Sequence, residues 1–241
     1  MILCGGCSFT RYDNVSDEHM WPHYLSTSFN TNNLNVGCAG ASNDYIANVV
    51  IRSIVDHHKT IEAVFVMWTE WHRLSLFGSR KTYNPSVVYR QHNPDVLPDD
   101  VAQKVDTSTE QTMIEKGDLE QLSTAQIVMH NLISMNAVKN ICEKYNIKYA
   151  FAQGCPAVSD YDKFYVPWKL KVNDILEALS NYESIIDTSK FYEYPIFWQY
   201  GGKTISQGVP VIDPKKDPHP NKEGQQIMAK RFYKFYNTLY L

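Results

Sequence analysis

Short apolar runs without helical period alternate along this chain with stretches whose apolar residues fall three and four apart. Few folds accommodate that rhythm. The runs lie at residues 1–3, 34–36 (the weakest), 63–68, 148–152 and 184–186. They read as parallel strands buried on both faces. Between them, Ile46, Val49, Val50 and Ile54 form one helical stripe, and Ile127, Val128, Leu132, Met135, Val138 and Cys142 form a longer one. Trp168, Val172, Ile175, Leu176 and Leu179 form a third. Met228, Phe232, Phe235 and Leu239 form a fourth, opening after an expected Asn221 N-cap. All four read as core-facing helix sides. Strands alternating with helices imply right-handed βαβ units and a parallel sheet covered on both sides.

At 241 residues the chain suits one α/β domain spanning residues 1–241. Residues 74–124 break the rhythm with turn formers, many polar residues and no clear period, and read as an insertion beside the site or a surface excursion. A formal charge of −3 gives no electrostatic case for a nucleic-acid or membrane-surface partner. No stretch reaches the roughly 18 apolar residues of a spanning helix, and the first ten residues lack the basic start and apolar core of a signal peptide. The odd set Cys4, Cys7, Cys38, Cys142 and Cys155 does not read as a disulfide framework. Free thiols and a cytoplasmic location are the expectation.

In an open parallel sheet, ligands bind beyond the carboxyl ends of the strands. The residues following each run therefore carry the functional reading. These are G-G-C-S-F-T at 5–10, N-V-G-C-A-G-A-S-N at 35–43, W-T-E-W-H-R at 68–73 and Q-G-C-P at 153–156, with D-P-H-P-N at 217–221 before the last helix. Ser8 follows two glycines where a tight strand-to-helix turn would expose its hydroxyl and aim backbone N–H groups at a developing oxyanion. Gly37 and Gly40 flank a turn leading into a helix from Ser42. His219, two residues after Asp217, has the chemistry of a general base with a carboxylate that fixes its tautomer.

These blocks resemble the SGNH/GDSL hydrolase superfamily. The matching segments, 5–10, 35–43, 64–73 and 217–229, cover some 40 residues, in order, and span nearly the whole chain. The resemblance implies a three-layer αβα sandwich with a flavodoxin-like parallel sheet of about five strands. It also implies cleavage of an ester (an acyl or O-acetyl group, on a carbohydrate among other alcohols) without metal or organic cofactor. Ser8 matches the family's nucleophile, His219 its base and Asp217 the base's partner. The backbone N–H groups of Ser8 and Gly40 match its oxyanion hole.

Three departures stand out. Cys7 replaces the Asp of Gly-Asp-Ser. The third block has no Asn for the oxyanion hole; Thr69 can donate and is the expected substitute, whereas an ionised Glu70 only accepts. Glu70, Arg73 and Asn43 are further candidates for substrate or supporting contacts, Arg73 either as a donor or in a surface ion pair. The carboxylate–His spacing is Asp-x-His rather than Asp-x-x-His, with Asp213 the other carboxylate upstream. Tyr161, Tyr165, Trp168, Tyr192, Tyr194, Trp198 and Tyr200 either stack on a sugar or pack the protein's own loops.

Other readings stay open. A catalytically inactive carbohydrate- or protein-binding module on the same fold fits the missing Asn and the shortened spacing. A metal site built from Cys4, Cys7, Cys38 and Cys155 competes with a role for these thiols as small buried hydrophobes. A phosphate binder lacks both the P-loop Lys and a G-x-G-x-x-G.

Overall fold

The computed structural model describes residues 1–12, 15–71, 73–75, 86–87, 124–155, 172–194 and 203–241. Its centre is a four-stranded, all-parallel sheet. Strands β1 (Ile2–Gly6), β2 (Asn33–Asn35), β3 (Ala63–Trp68) and β6 (Lys148–Gln153) lie in the order β2-β1-β3-β6. Ile2 to Gly6 pair with Ala63 to Met67, and Ala63 to Trp68 pair with Lys148 to Gln153.

Helices cover both faces, and strand alternation sorts the side chains between them. Leu3, Val64, Val66, Trp68 and Phe151 pack on one side against α2 (Asn43–His57), α3 (Thr124–Lys144) and α4 (Val172–Tyr182). Ile2, Cys4, Phe65, Met67 and Ala152 pack on the other against α1 (Trp21–Ser28) and α5 (Lys222–Tyr240). The three-layer αβα expectation is met. The second and last stripes fall on α3 and α5, and Asn221 caps α5 by accepting from the Gly224 N–H at 3.0 Å. In the third stripe, Leu179 is buried on α4, while Trp168 lies outside the described residues.

Two expectations are corrected. The run at 184–186 is not a strand. Glu183–Ile185 form a 3-10 turn, and Asp187 accepts from the Ser189 N–H to cap the next 3-10 turn. Two apolar residues, Ile185 and Ile186, flanked by carboxylates give a strand too little to bury, and among the described residues the sheet edge beyond β6 holds an isolated Phe151–Phe191 bridge. The turn after β1 also does not enter a helix directly; a 3-10 turn at Asp17–His19 intervenes before α1. Helix α1 itself carries no long apolar stripe, only Trp21 and Leu25 on the core side, with Pro22 in its first turn.

Of the 74–124 insertion, only the two-residue strands β4 (Leu74–Ser75) and β5 (Ser86–Val87) and the first residue of α3 are described. The two strands pair antiparallel. The rest of that segment lies outside the described residues, as do Tyr161, Tyr165, Trp198 and Tyr200. No described helix is long and apolar enough to cross a membrane.

The sheet allows close approach of α2 to β1 because Gly5 lacks a side chain. A Cβ there would sit 2.4 Å from Val50 Cγ2. Gly5→Ala is therefore expected to cost about 1–3 kcal/mol of stability, through displacement of α2. Urea denaturation of the variant checks this; a midpoint equal to wild type would contradict the packing.

Candidate active site

The loop after β1 folds back on itself at once. The N–H groups of Thr10 and Arg11 both donate to the Cys7 carbonyl, at 2.8 and 3.1 Å. Thr10 is buried beneath the turn, its hydroxyl accepting from Trp21 Nε1 at 3.2 Å and its carbonyl from Asn35 Nδ2 at 3.1 Å. That fold needs a bare Gly6, because a Cβ there would sit 2.0 Å from the Thr10 hydroxyl oxygen. Ser8 is thus held at the carboxyl end of the sheet, half-buried.

The second loop meets it. Cys38 N–H donates to the Gly6 carbonyl at 3.0 Å, and Ala41 N–H closes a turn on the Cys38 carbonyl at 3.1 Å. Gly40 sits in that turn at φ +74°, a left-handed conformation that favours glycine. Among the described residues, the N–H groups of Ser8 and Gly40 donate to no protein acceptor.

The third piece comes from a short antiparallel hairpin, β7 (Val211–Asp213) and β8 (Asp217–Pro220). The D-P-H-P segment at 217–220 is a strand, and this explains the Asp-x-His spacing. Residues two apart lie on the same face of a strand but on nearly opposite faces of a helix. Asp217 Oδ1 accepts from His219 Nδ1 at 2.6 Å and from the His219 backbone N–H at 3.1 Å. A carboxylate can only accept, so Nδ1 carries the ring proton and Nε2 is left as an acceptor. The Ser8 hydroxyl lies 2.8 Å from that Nε2. Asp213 instead caps the hairpin turn, accepting from the N–H of Lys215 and Lys216.

Burial works against the Asp217 charge, but hydrogen bonds from the His219 side chain and backbone and from the Tyr12 hydroxyl outweigh it. Its carboxyl is held below the ordinary range.

Behind Ser8 lies an interior polar layer that includes the remaining sequence candidates. Asn43 is buried: its Oδ1 accepts from the Thr69 N–H at 2.8 Å, and its Nδ2 donates to Asn131 Oδ1 at 2.6 Å. Thr69 is fully buried, with its hydroxyl against Cys155 Sγ at 3.6 Å. Thr69, expected as an oxyanion donor, is thus placed in the interior, with its N–H on Asn43 and its hydroxyl beside Cys155. Asn43 is a bolt between α2, α3 and the end of β3 rather than a substrate contact. Arg73 Nη2 and Nε reach Glu70 Oε2 at 2.6 and 2.7 Å, with side chains only 14% and 19% exposed. This is the expected ion pair, but an interior one.

Next to this pair, Cys155 holds the buried Cys7 thiol below its usual range against the cost of burial, with help from the Arg73 charge. All five cysteines are free thiols. Among the described residues, no group of three or more His, Cys, Asp or Glu side chains is placed to hold a metal ion. Tyr192 and Tyr194 pack against Phe235 and Phe191.

Sequence reasoning missed Tyr12 and Phe9. The Tyr12 hydroxyl donates to Asp217 Oδ2 at 3.0 Å, and its ring stacks on His219 with centroids 4.2 Å apart and planes within 10°. Phe9 meets His219 edge-on, centroids 5.3 Å apart. Their only signal was nearness to Ser8. Gln225 was missed too; it accepts from the Trp21 N–H and donates to the Phe9 carbonyl, fastening the loop to α1 and α5.

With this geometry in view, comparison with solved structures is informative. A carbohydrate acetylesterase family member from Sinorhizobium meliloti aligns over 99% of this chain and 97% of its own, with TM-score 0.53 at 11% identity. TesA aligns over 99% and 98%, also with TM-score 0.53, at 8% identity. The chain has the SGNH hydrolase fold. A lipolytic G-D-S-L protein from Veillonella parvula is a looser match, at TM-score 0.46 and 17% identity, and adds nothing to that conclusion. No protein-family model matches the sequence, and no curated protein matches it.

The lowered Asp217 carboxyl has a testable sign. Its contribution to stability is fully present above the unfolded value of about 3.9 and is lost as pH falls through the lower folded value. The stability difference between wild type and Asp217→Asn is expected to stay level from neutral pH to the ordinary carboxylate range and to shrink only below it. Chemical denaturation across pH checks this; a difference that fades well above that range would contradict the assignment.

Proposed function

We propose that this protein is a divergent serine esterase of the SGNH/GDSL type, with residues 1–241 acting as one hydrolase domain. The observation that carries the reading is the continuous chain Ser8–His219–Asp217, at 2.8 and 2.6 Å, assembled from two distant ends of the sequence. Ser8 Oγ attacks the acyl carbonyl as His219 Nε2 takes its proton. Asp217 stabilises the imidazolium that forms. The backbone N–H groups of Ser8 and Gly40 hold the tetrahedral oxyanion. His219 then gives its proton to the leaving alcohol, and water, deprotonated by the same ring, releases the acyl group.

The interior position of Thr69 leaves the two backbone donors as the oxyanion hole among the residues considered. One missing donor lowers rate by on the order of 10²–10³ without abolishing catalysis. The solved structures that share the fold include a carbohydrate acetylesterase family member. That favours small acyl groups such as O-acetyl, on a carbohydrate among other alcohols.

Hydrolysis of p-nitrophenyl acetate and of acetylated sugars by wild type, Ser8→Ala and His219→Ala tests the reading. Each variant is expected to lose about 10³-fold or more in kcat/KM, with the double variant no worse than the singles. Turnover by wild type that survives in Ser8→Ala would contradict it. A folded wild type inert to both substrate classes would favour the binding module instead.

A further inference from the structure

Two torsions in the Ser8–His219–Asp217 array are intrinsically soft. The terminal torsions of Asp and His are broad and roughly two-fold, so neither the carboxylate nor the imidazole plane is fixed by its own backbone. The Asp-x-His spacing sharpens the problem. Along a strand the two Cα atoms stand about 6.6 Å apart, and the carboxylate must bend back along its own strand to reach Nδ1. It does so through Oδ1 alone, which serves both the ring and the backbone N–H of His219.

One side chain meets both soft torsions. The Tyr12 hydroxyl holds Asp217 Oδ2 at 3.0 Å, which leaves Oδ1 turned to His219. Its ring lies flat on the imidazole, 4.2 Å between centroids, while Phe9 closes the edge. Tyr12 also belongs to the loop that carries Ser8. The Cys7 carbonyl gathers the N–H groups of Thr10 and Arg11, and the Tyr12 carbonyl accepts from the Val15 N–H at 3.0 Å. The segment that presents the hydroxyl therefore also grips the base that activates it.

We infer that Tyr12 is a positioning residue, whose hydroxyl sets the Asp217 carboxylate and whose ring sets the His219 imidazole so that Nε2 meets Ser8. This rests on the hydrolase reading for its catalytic consequence, but not for its geometric one.

The test pairs kinetics with a signature that does not need turnover. Tyr12→Phe keeps the stack and removes the hydroxyl; Tyr12→Ala removes both. On p-nitrophenyl acetate, kcat is expected to fall about tenfold in Tyr12→Phe and about a hundredfold in Tyr12→Ala, with KM within about twofold of wild type. In parallel, proton NMR follows the downfield His219 Nδ1–H resonance, identified by its loss in His219→Ala. It is expected to move upfield in Tyr12→Phe, in protein whose remaining spectrum is unchanged. Wild-type kcat in both variants of an active enzyme would overturn the inference. So would a resonance that does not move in Tyr12→Phe, even with a lower kcat. If wild type hydrolyses no ester, the esterase reading fails by itself, and the resonance alone then decides for or against Tyr12.

Discussion

The chemistry proposed for the carboxyl edge of the sheet depends on one hydrogen bond, from His219 Nδ1 to Asp217 at 2.6 Å. Without it, either ring nitrogen of a neutral imidazole can carry the proton, and the tautomer protonated on Nε2 has no acceptor for the Ser8 hydroxyl. With it, Nε2 is an acceptor 2.8 Å from Ser8 Oγ. The bond forms because β8 is a strand. Its pairing with β7 puts Asp217 opposite Asp213 and Pro220 opposite Val211, with a register shift between them, and the Asp217 carboxylate meets the His219 ring directly.

The sheet gives that arrangement a rigid base. Both faces of β1 and β3 are buried, so the loops that leave their carboxyl ends start from fixed points. The interior polar layer continues this rigidity beyond the strand ends. Gln153 Nε2 donates to the carbonyls of Thr69 and Cys155, and Asn131 Nδ2 donates to the carbonyls of Trp71 and Ile127. Backbone carbonyls at a strand end that would otherwise face water are satisfied inside the protein, and the chain past β3 is held without regular structure.

The sequence carried the three-layer plan because its signal is dense there. Residues 63–68 and 149–152 are apolar runs that can only be buried, and the stripe from Ile127 to Cys142 can only be one side of a helix. Ser8, Gly40, Asp217 and His219 were read as a set because the blocks that hold them match a known family's order, and the fold brings Ser8, His219 and Asp217 together. What was hidden depended on tertiary context. Thr69 has a usable hydroxyl in sequence, yet the fold turns it to Cys155. The strand at 217–220 contains two prolines, which argue against a strand except at a sheet edge, where this one lies. Tyr12 has no motif; its role follows from a turn that brings it back over His219.

The most direct test of the central claim, that His219 activates the Ser8 hydroxyl, is intact-mass analysis after exposure to a fluorophosphonate, followed by peptide mapping. One adduct per chain, mapped to Ser8 and absent in His219→Ala, is the predicted result. A folded wild-type protein that takes up no adduct, or takes it up at another residue, would contradict it.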